Sequence, residues 1–142
     1  MARSEHVAAI GLDAEPDCRL PEGVLEQVAR PHEALRARES KLASTVSWDR
    51  LLFSAKEATF KAWFPLTGLL LEFEQIAVSL DVRQHGFSAL VADVDGSSFA
   101  DCRRRFRGRW RVDHGIILVA VVVERRRHLG APGEDGLVTV TS

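Results

Sequence analysis

Cysteine is scarce: Cys18 and Cys102 are the only two, and no Cys-x-x-Cys spacing occurs, so neither a zinc site nor a disulfide scaffold is expected. Free or buried thiols in a reducing compartment fit better. Charge of one sign is lacking too. The 19 Lys and Arg balance 20 Asp and Glu to a net charge of -1, which implies no bulk attraction to nucleic acid or to a membrane. There is no long hydrophobic run: the longest, Ile116 to Val123, is far too short to cross a bilayer, and no apolar signal segment opens the chain. The sequence therefore predicts a cytoplasmic protein with no membrane partner. Internal repeats are absent as well. What is present is ordinary for a globular protein, with 46% hydrophobic and 27% charged residues, and 142 residues suffice for one domain with its own core.

The stretch Trp48 to Trp63 organises the rest. Trp48, Leu51, Leu52, Ala55, Ala58, Thr59 and Ala62 recur at three- and four-residue steps, which predicts an amphipathic helix with one buried stripe. Ser47 stands at the N-cap position, Asp49 suits the positive end of the helix dipole, and Pro65 and Gly68 are expected to end the helix. Lys56, Glu57 and Lys61 are charged residues among the aromatic neighbours Phe53 and Phe60. Glu57 and Lys61 are four apart and share a face, where an exposed helix salt bridge is the plainest explanation.

A second acidic site lies upstream. Val7 to Leu12 reads as a mostly buried strand that continues through Asp13, Ala14 and Glu15, so the Asp13 and Glu15 side chains emerge on the same side. Pro16 favours an extended Glu15 and helps end the strand. Two carboxylates on one face repel and call for a positive partner; a hard divalent cation such as magnesium is one answer, and hydration at an open strand end is the other. A calcium loop beginning at Asp13 is excluded, because Cys18 and Val24 stand where glycine and glutamate are required.

Elsewhere, Pro21 is expected to start a short helix with Val24, Leu25 and Val28 buried, and Pro31 to stop it; His32 to Thr45 is either a frayed helix or a loop. Ile76, Val78 and Leu80 mark a half-buried strand, and Phe87 to Val91 another. Asp95-Gly96 signals a turn. Arg105 to Val112 alternates arginine with apolar or small residues as a one-sided strand does, Asp113-His114-Gly115 turns the chain, and Ile116 to Val123 reads as a fully buried strand. From Arg125 a disordered tail, 125–142, is expected behind a folded unit over 1–124.

Taken together, Gly11-Leu12-Asp13-Ala14-Glu15-Pro16 and the long block Trp48 to Thr67, with its Lys-Glu-x-x-x-Lys core, resemble the 4'-phosphopantetheinyl transferases, specifically their Sfp-type branch, which includes the actinobacterial and enterobactin-pathway enzymes. The resemblance runs to about Val123. It implies an α+β fold, an antiparallel sheet packed against helices, forming one half of the family's pseudodimer. It implies an enzyme, a holo-acyl-carrier-protein synthase that transfers phosphopantetheine from coenzyme A to a serine of an acyl or peptidyl carrier protein with Mg2+. By motif position, Asp13, Glu15 and Glu57 hold the metal, Glu57 is the general base, Lys61 meets the coenzyme A phosphates and the departing 3',5'-ADP, and Lys56 assists phosphate or carrier contact. The residue types suit that chemistry, since attack at phosphorus needs charge neutralisation and positioning and no activated protein nucleophile.

One departure matters. Sfp-type chains have two similar halves, and the metal-bearing strand opens the second; here it begins within the first dozen residues, so the half with the Ser-x-x-His motif and the basic residues around adenine and the 3'-phosphate is missing. A start assigned inside a longer gene, a real truncation, and self-association through the face left by the missing half are the available accounts. The alternative to an enzyme is an inactive fragment that binds metal or carrier protein only, with a metal-dependent nuclease further behind. Arg103 to Arg111, with Phe106 and Trp110, admits phosphate contacts and stacking, a basic rim for an acidic carrier protein, or a solvated strand face; no nucleic-acid partner is expected. The five histidines have no ligand spacing, and Trp48, Trp63 and Trp110 read as core anchors.

Overall fold

In the computed structural model the strand carrying Asp13 and Glu15 is β1 (Val7–Pro16), and its alternation sets the architecture. The structure describes residues 7–40, 45–91, 105–125 and 138–141, with backbone alone at 37–40, 124–125 and 138–141. Ala9 and Gly11 are buried, with Asp13 and Glu15 following on the same side, whereas Ile10, Leu12 and Ala14 face outward. Helices α1 (Val24–Val28), α2 (Pro31–Ser40) and α3 (Trp48–Thr67) follow, then a single 3-10 turn (Phe73–Gln75). Strands β2 (Ile76–Asp81), β3 (Gly86–Val91), β4 (Arg105–Asp113), β5 (Ile116–Arg125) and β6 (Val138–Thr141) complete the described chain.

The strands make one antiparallel sheet in the order β1-β5-β4-β3-β2, with β6 also on β5, so the fold is α+β as expected. One face of the sheet is covered by α3. The expected stripe of that helix is fully buried from Trp48 to Ala62, packed on Ile76, Phe106, Ile117 and Val121 among others. Trp63 meets Phe106 edge-on, and Trp48, Trp63 and Trp110 are all core residues.

Several local expectations are corrected. Pro31 does not stop a helix but opens α2, where its missing N–H is no loss at a first helical position. Pro21 lies ahead of α1 and accepts the Val24 N–H on its carbonyl. Pro65 is inside α3, because this close to the end it removes only the bond to one carbonyl; Gly68, at a φ of 69°, is the true stop. Ser47 is the N-cap residue by position, yet its side chain makes no cap bond; its own N–H donates to Asp17 Oδ1 at 2.8 Å. Strand β5 is buried on alternate residues only, Ile117, Val119, Val121 and Val123, with Ile116 39% exposed on the other face. The turn before it carries positive φ at His114 (50°) and Gly115 (76°), the backbone of a tight two-residue hairpin. The turn expected at Asp95-Gly96 lies outside the described residues, as does most of the expected disordered tail, 125–142; its described residues are in strands, Arg125 ending β5 and Val138–Thr141 forming β6 paired with it.

Candidate functional site

Gly11 is the reason two acidic segments meet. A Cβ there would stand 1.8 Å from the Ala58 carbonyl oxygen, so at this point the backbones of β1 and α3 are in direct contact. The next inward residues of β1 then fall beside the preceding turns of α3. Asp13 accepts from Ser54 Oγ at 2.7 Å and from Lys61 Nζ at 2.9 Å, while Glu15 stands 3.5 Å from Arg50 Nη1. The helix salt bridge expected between Glu57 and Lys61 gives way to a bond across elements, Lys61 to Asp13.

Glu57 is half-buried, and among the described residues no hydrogen bond or ion pair engages its carboxylate. Burial, and after it the charge of Asp13, push its pKa above the ordinary carboxylate value, with Lys61 pulling the other way. The Glu15 pKa is raised for the same two reasons in the same order, opposed by Arg50, and Glu57 adds a further repulsion. Lys61 is held in its charged form, first by its bond to Asp13 and then by the fields of Asp13, Glu57 and Glu15. Asp13, Glu15, Glu57 and Lys61 thus lie within one another's electrostatic reach. The three acids are hard oxygen donors carrying more negative charge than Lys61 and Arg50 relieve, a set whose chemistry fits a divalent cation. Among the described residues no three His, Cys, Asp or Glu side chains stand close enough together to form a metal-holding group, and both Asp13 oxygens are engaged by Ser54 and Lys61.

Lys56 is elsewhere. Wholly buried, it spends its ammonium on the Val28 carbonyl (2.8 Å), Glu33 Oε1 (2.8 Å) and the Phe73 carbonyl (3.0 Å), leaving nothing for a phosphate or a partner; the expectation of ligand contact is corrected on that ground. Three site residues escaped the sequence reading: Ser54, Arg50 and Asp49. Arg50 also donates to the carbonyls of Cys18 (3.1 Å) and Arg19 (3.2 Å), and buried Asp49 accepts from the Leu20 N–H at 3.0 Å, so the start of α3 grips the loop after β1. The only signal for them was their place in the same unusual block as Glu57.

A cavity of about 780 Å³ is lined by Asp13 and Lys61 together with Leu12, Ala14, Leu118, Arg109 and Arg111. It combines apolar surface with three cationic side chains. Arg105, Arg107, Arg109 and Arg111 are all exposed, with Phe106, Gly108 and Trp110 buried between them, the one-sided strand expected; Arg103 and Arg104 lie outside the described residues. Cys18 is free and exposed, and Cys102 lies outside the described residues. His32, His85 and His114 are exposed, the last two at positive φ in turns; His6 and His128 are not among the described residues.

An α+β half with acids from a strand and a helix beside an open cationic cavity has known counterparts. The family model of the 4'-phosphopantetheinyl transferase superfamily matches residues 9–114, and the chain belongs to that superfamily. Among individual proteins it is similar to the 4'-phosphopantetheinyl transferase Svp of Streptomyces mobaraensis, 42% identical over 129 residues, covering 87% of this chain and 50% of Svp. It is similar also to PptT of Mycobacterium tuberculosis (37% over 127 residues, 87% of this chain and 56% of PptT) and to Npt of Nocardia iowensis (36% over 129 residues, 85% and 57%), both 4'-phosphopantetheinyl transferases. The chain spans about half the length of these relatives.

Proposed function

We propose that the chain supplies the acid-bearing half of a cytoplasmic 4'-phosphopantetheinyl transferase, with the transferase unit over residues 1–124 and a tail over 125–142. The reaction moves phosphopantetheine from coenzyme A to a serine of an acyl or peptidyl carrier protein. The observation that supports this reading is the Lys61–Asp13 pair beside the contact of β1 with α3, with Glu57 and Glu15 within electrostatic range of it.

The serine oxygen attacks the phosphorus that bears the pantetheine arm, the pyrophosphate P–O bond breaks, and 3',5'-ADP leaves. Glu57 takes the serine proton, directly or through a water; its carboxylate has no partner among the described residues, and its pKa is raised by burial and by Asp13, which makes it a stronger base than an ordinary carboxylate. Lys61, half-exposed on the cavity wall, offsets charge on the phosphates and on the leaving group. Asp13, Glu15 and Glu57 are the residues to hold Mg2+, which would neutralise the pyrophosphate. Arg50 opposes the rise in the Glu15 pKa beside them, and Ser54 donates to Asp13 and orients it.

A second reading has an observation in its favour. Because the chain spans about half of its relatives, the half alone binds metal or carrier protein and turns over only when a second half, or a second copy, covers the outward sheet face where Leu12 is 62% and Ile10 46% exposed. Intact-mass measurement of an apo carrier protein after incubation with the chain, coenzyme A and Mg2+ separates the two. Catalysis adds the mass of phosphopantetheine and ceases with EDTA or in Glu57→Ala and Asp13→Ala; mere binding adds none.

A further inference from the structure

Lys56 precedes Glu57 in the sequence and yet faces away from the acids, into the interior. Its partner Glu33, 3% exposed, is as thoroughly engaged: Oε1 accepts from Lys56 and from the Arg30 N–H at 2.7 Å, and Oε2 from the Val78 N–H at 2.6 Å. With the Val28 and Phe73 carbonyls on the lysine side, one ion pair joins the end of α1, the start of α2, the 3-10 turn and β2 to a single position of α3. Taking both ions out of water is costly, and a buried ion pair is weak evidence for stability. Stability alone is therefore a poor reason for the pair.

Geometry supplies a better one. Successive residues of a helix are turned by a fixed angle, so anchoring position 56 on one side sets the direction in which position 57 leaves the other. On that other side β1 is already in contact with the Ala58 carbonyl through Gly11, and Ser54 is bonded to Asp13. A helix held on both flanks has no freedom left to roll. We infer that Lys56 and Glu33 are a positioning pair, which fixes the rotation of α3 and so holds Glu57 opposite Asp13, with Lys56 making no contact to coenzyme A or carrier protein. This rests on the transferase reading for its functional consequence and on geometry alone for its structural one.

Two measurements test it, with Lys56→Met and the milder Glu33→Gln, which keeps the side-chain volume but sets an amide N–H against the Val78 N–H. In carrier-protein modification, either variant is expected to lower kcat by on the order of a hundredfold, as a misplacement of about 1 Å does, while KM for coenzyme A stays within about twofold. A raised KM with kcat unchanged would make Lys56 a phosphate ligand and overturn the inference. Crystal structures of the same variants are expected to show Glu57 displaced from Asp13 by about 1 Å, the scale that matters for catalysis. Glu57 unmoved in a folded variant overturns it too. If Lys56→Met does not fold, Glu33→Gln decides. If the unsubstituted chain transfers nothing, the transferase reading of this half is what fails, and the crystallographic comparison still decides the positioning claim.

Discussion

Helix α3 carries two lysine–carboxylate pairs of nearly equal length, Lys61–Asp13 at 2.9 Å and Lys56–Glu33 at 2.8 Å, in opposite surroundings. Lys61 is 46% exposed on the wall of a cavity, beside two further acids. Lys56 is 0% exposed, and every polar atom of its pair is bonded. The same chemistry thus does two jobs: an accessible pair can exchange its partner for a cation or a phosphate, and a sealed pair can only hold a position. Burial, more than distance, separates a reactive charge from a structural one.

The largest expected effect breaks the sealed pair. Removing one partner, as in Glu33→Ala, leaves an uncompensated buried charge and should cost about 3–5 kcal/mol. Lys61→Met should cost less, because the lysine that is lost is half open to water, although the Asp13 carboxylate left behind is only 8% exposed. Urea unfolding of both variants measures the contrast, and equal losses would dissolve the comparison.

Next in size is the contact that brings the open pair together. Gly11→Ala places a methyl group against the Ala58 carbonyl and must push β1 from α3, at a cost of about 1–3 kcal/mol. Transfer activity should fall further than that loss of stability explains, which activity measured well below the unfolding midpoint will show.

Smaller in stability and sharper in meaning is the fate of Lys61→Met, which should stay folded yet lose carrier-protein modification. The smallest effect has the opposite sign. Because the Glu57 pKa is higher in the folded chain than its ordinary value of 4.5, the unfolded chain releases this proton first, and ionisation counts against the fold as pH rises through 4.5 and past the raised value. Below both values the penalty is absent. Glu57→Gln should therefore raise the melting temperature at pH 7 and leave it nearly unchanged at pH 4, while abolishing activity; thermal unfolding at the two pH values checks it.

What the sequence made legible follows from period and type. The helical stripe from Trp48 to Ala62 and the alternation that sets Asp13 beside Glu15 are local patterns, and both elements formed where they predicted. The partner of Lys61 was not local. Glu57 lies four residues away along the helix and Asp13 is 48 away in sequence, so only the contact of strand with helix reveals which acid wins. Lys56 misled because its residue type suits phosphate, and its real partner, Glu33, sits in a stretch with little apolar periodicity. Pro31 and Pro65 look like helix breakers in the sequence, yet a first helical position and a last turn both tolerate the missing N–H. The half-buried alternate residues of β5, Leu118, Ala120 and Val122, are hidden within a continuous apolar run, which cannot show whether one sheet face or both are covered.

Whether Asp13, Glu15 and Glu57 act at one point is best asked with an ion that can be seen. Crystals of the chain grown with manganese should give a single anomalous-difference peak within carboxylate reach of all three acids, with the Lys61 ammonium displaced from Asp13. Well-ordered crystals with no peak there, or with manganese bound only at other residues, would contradict the account.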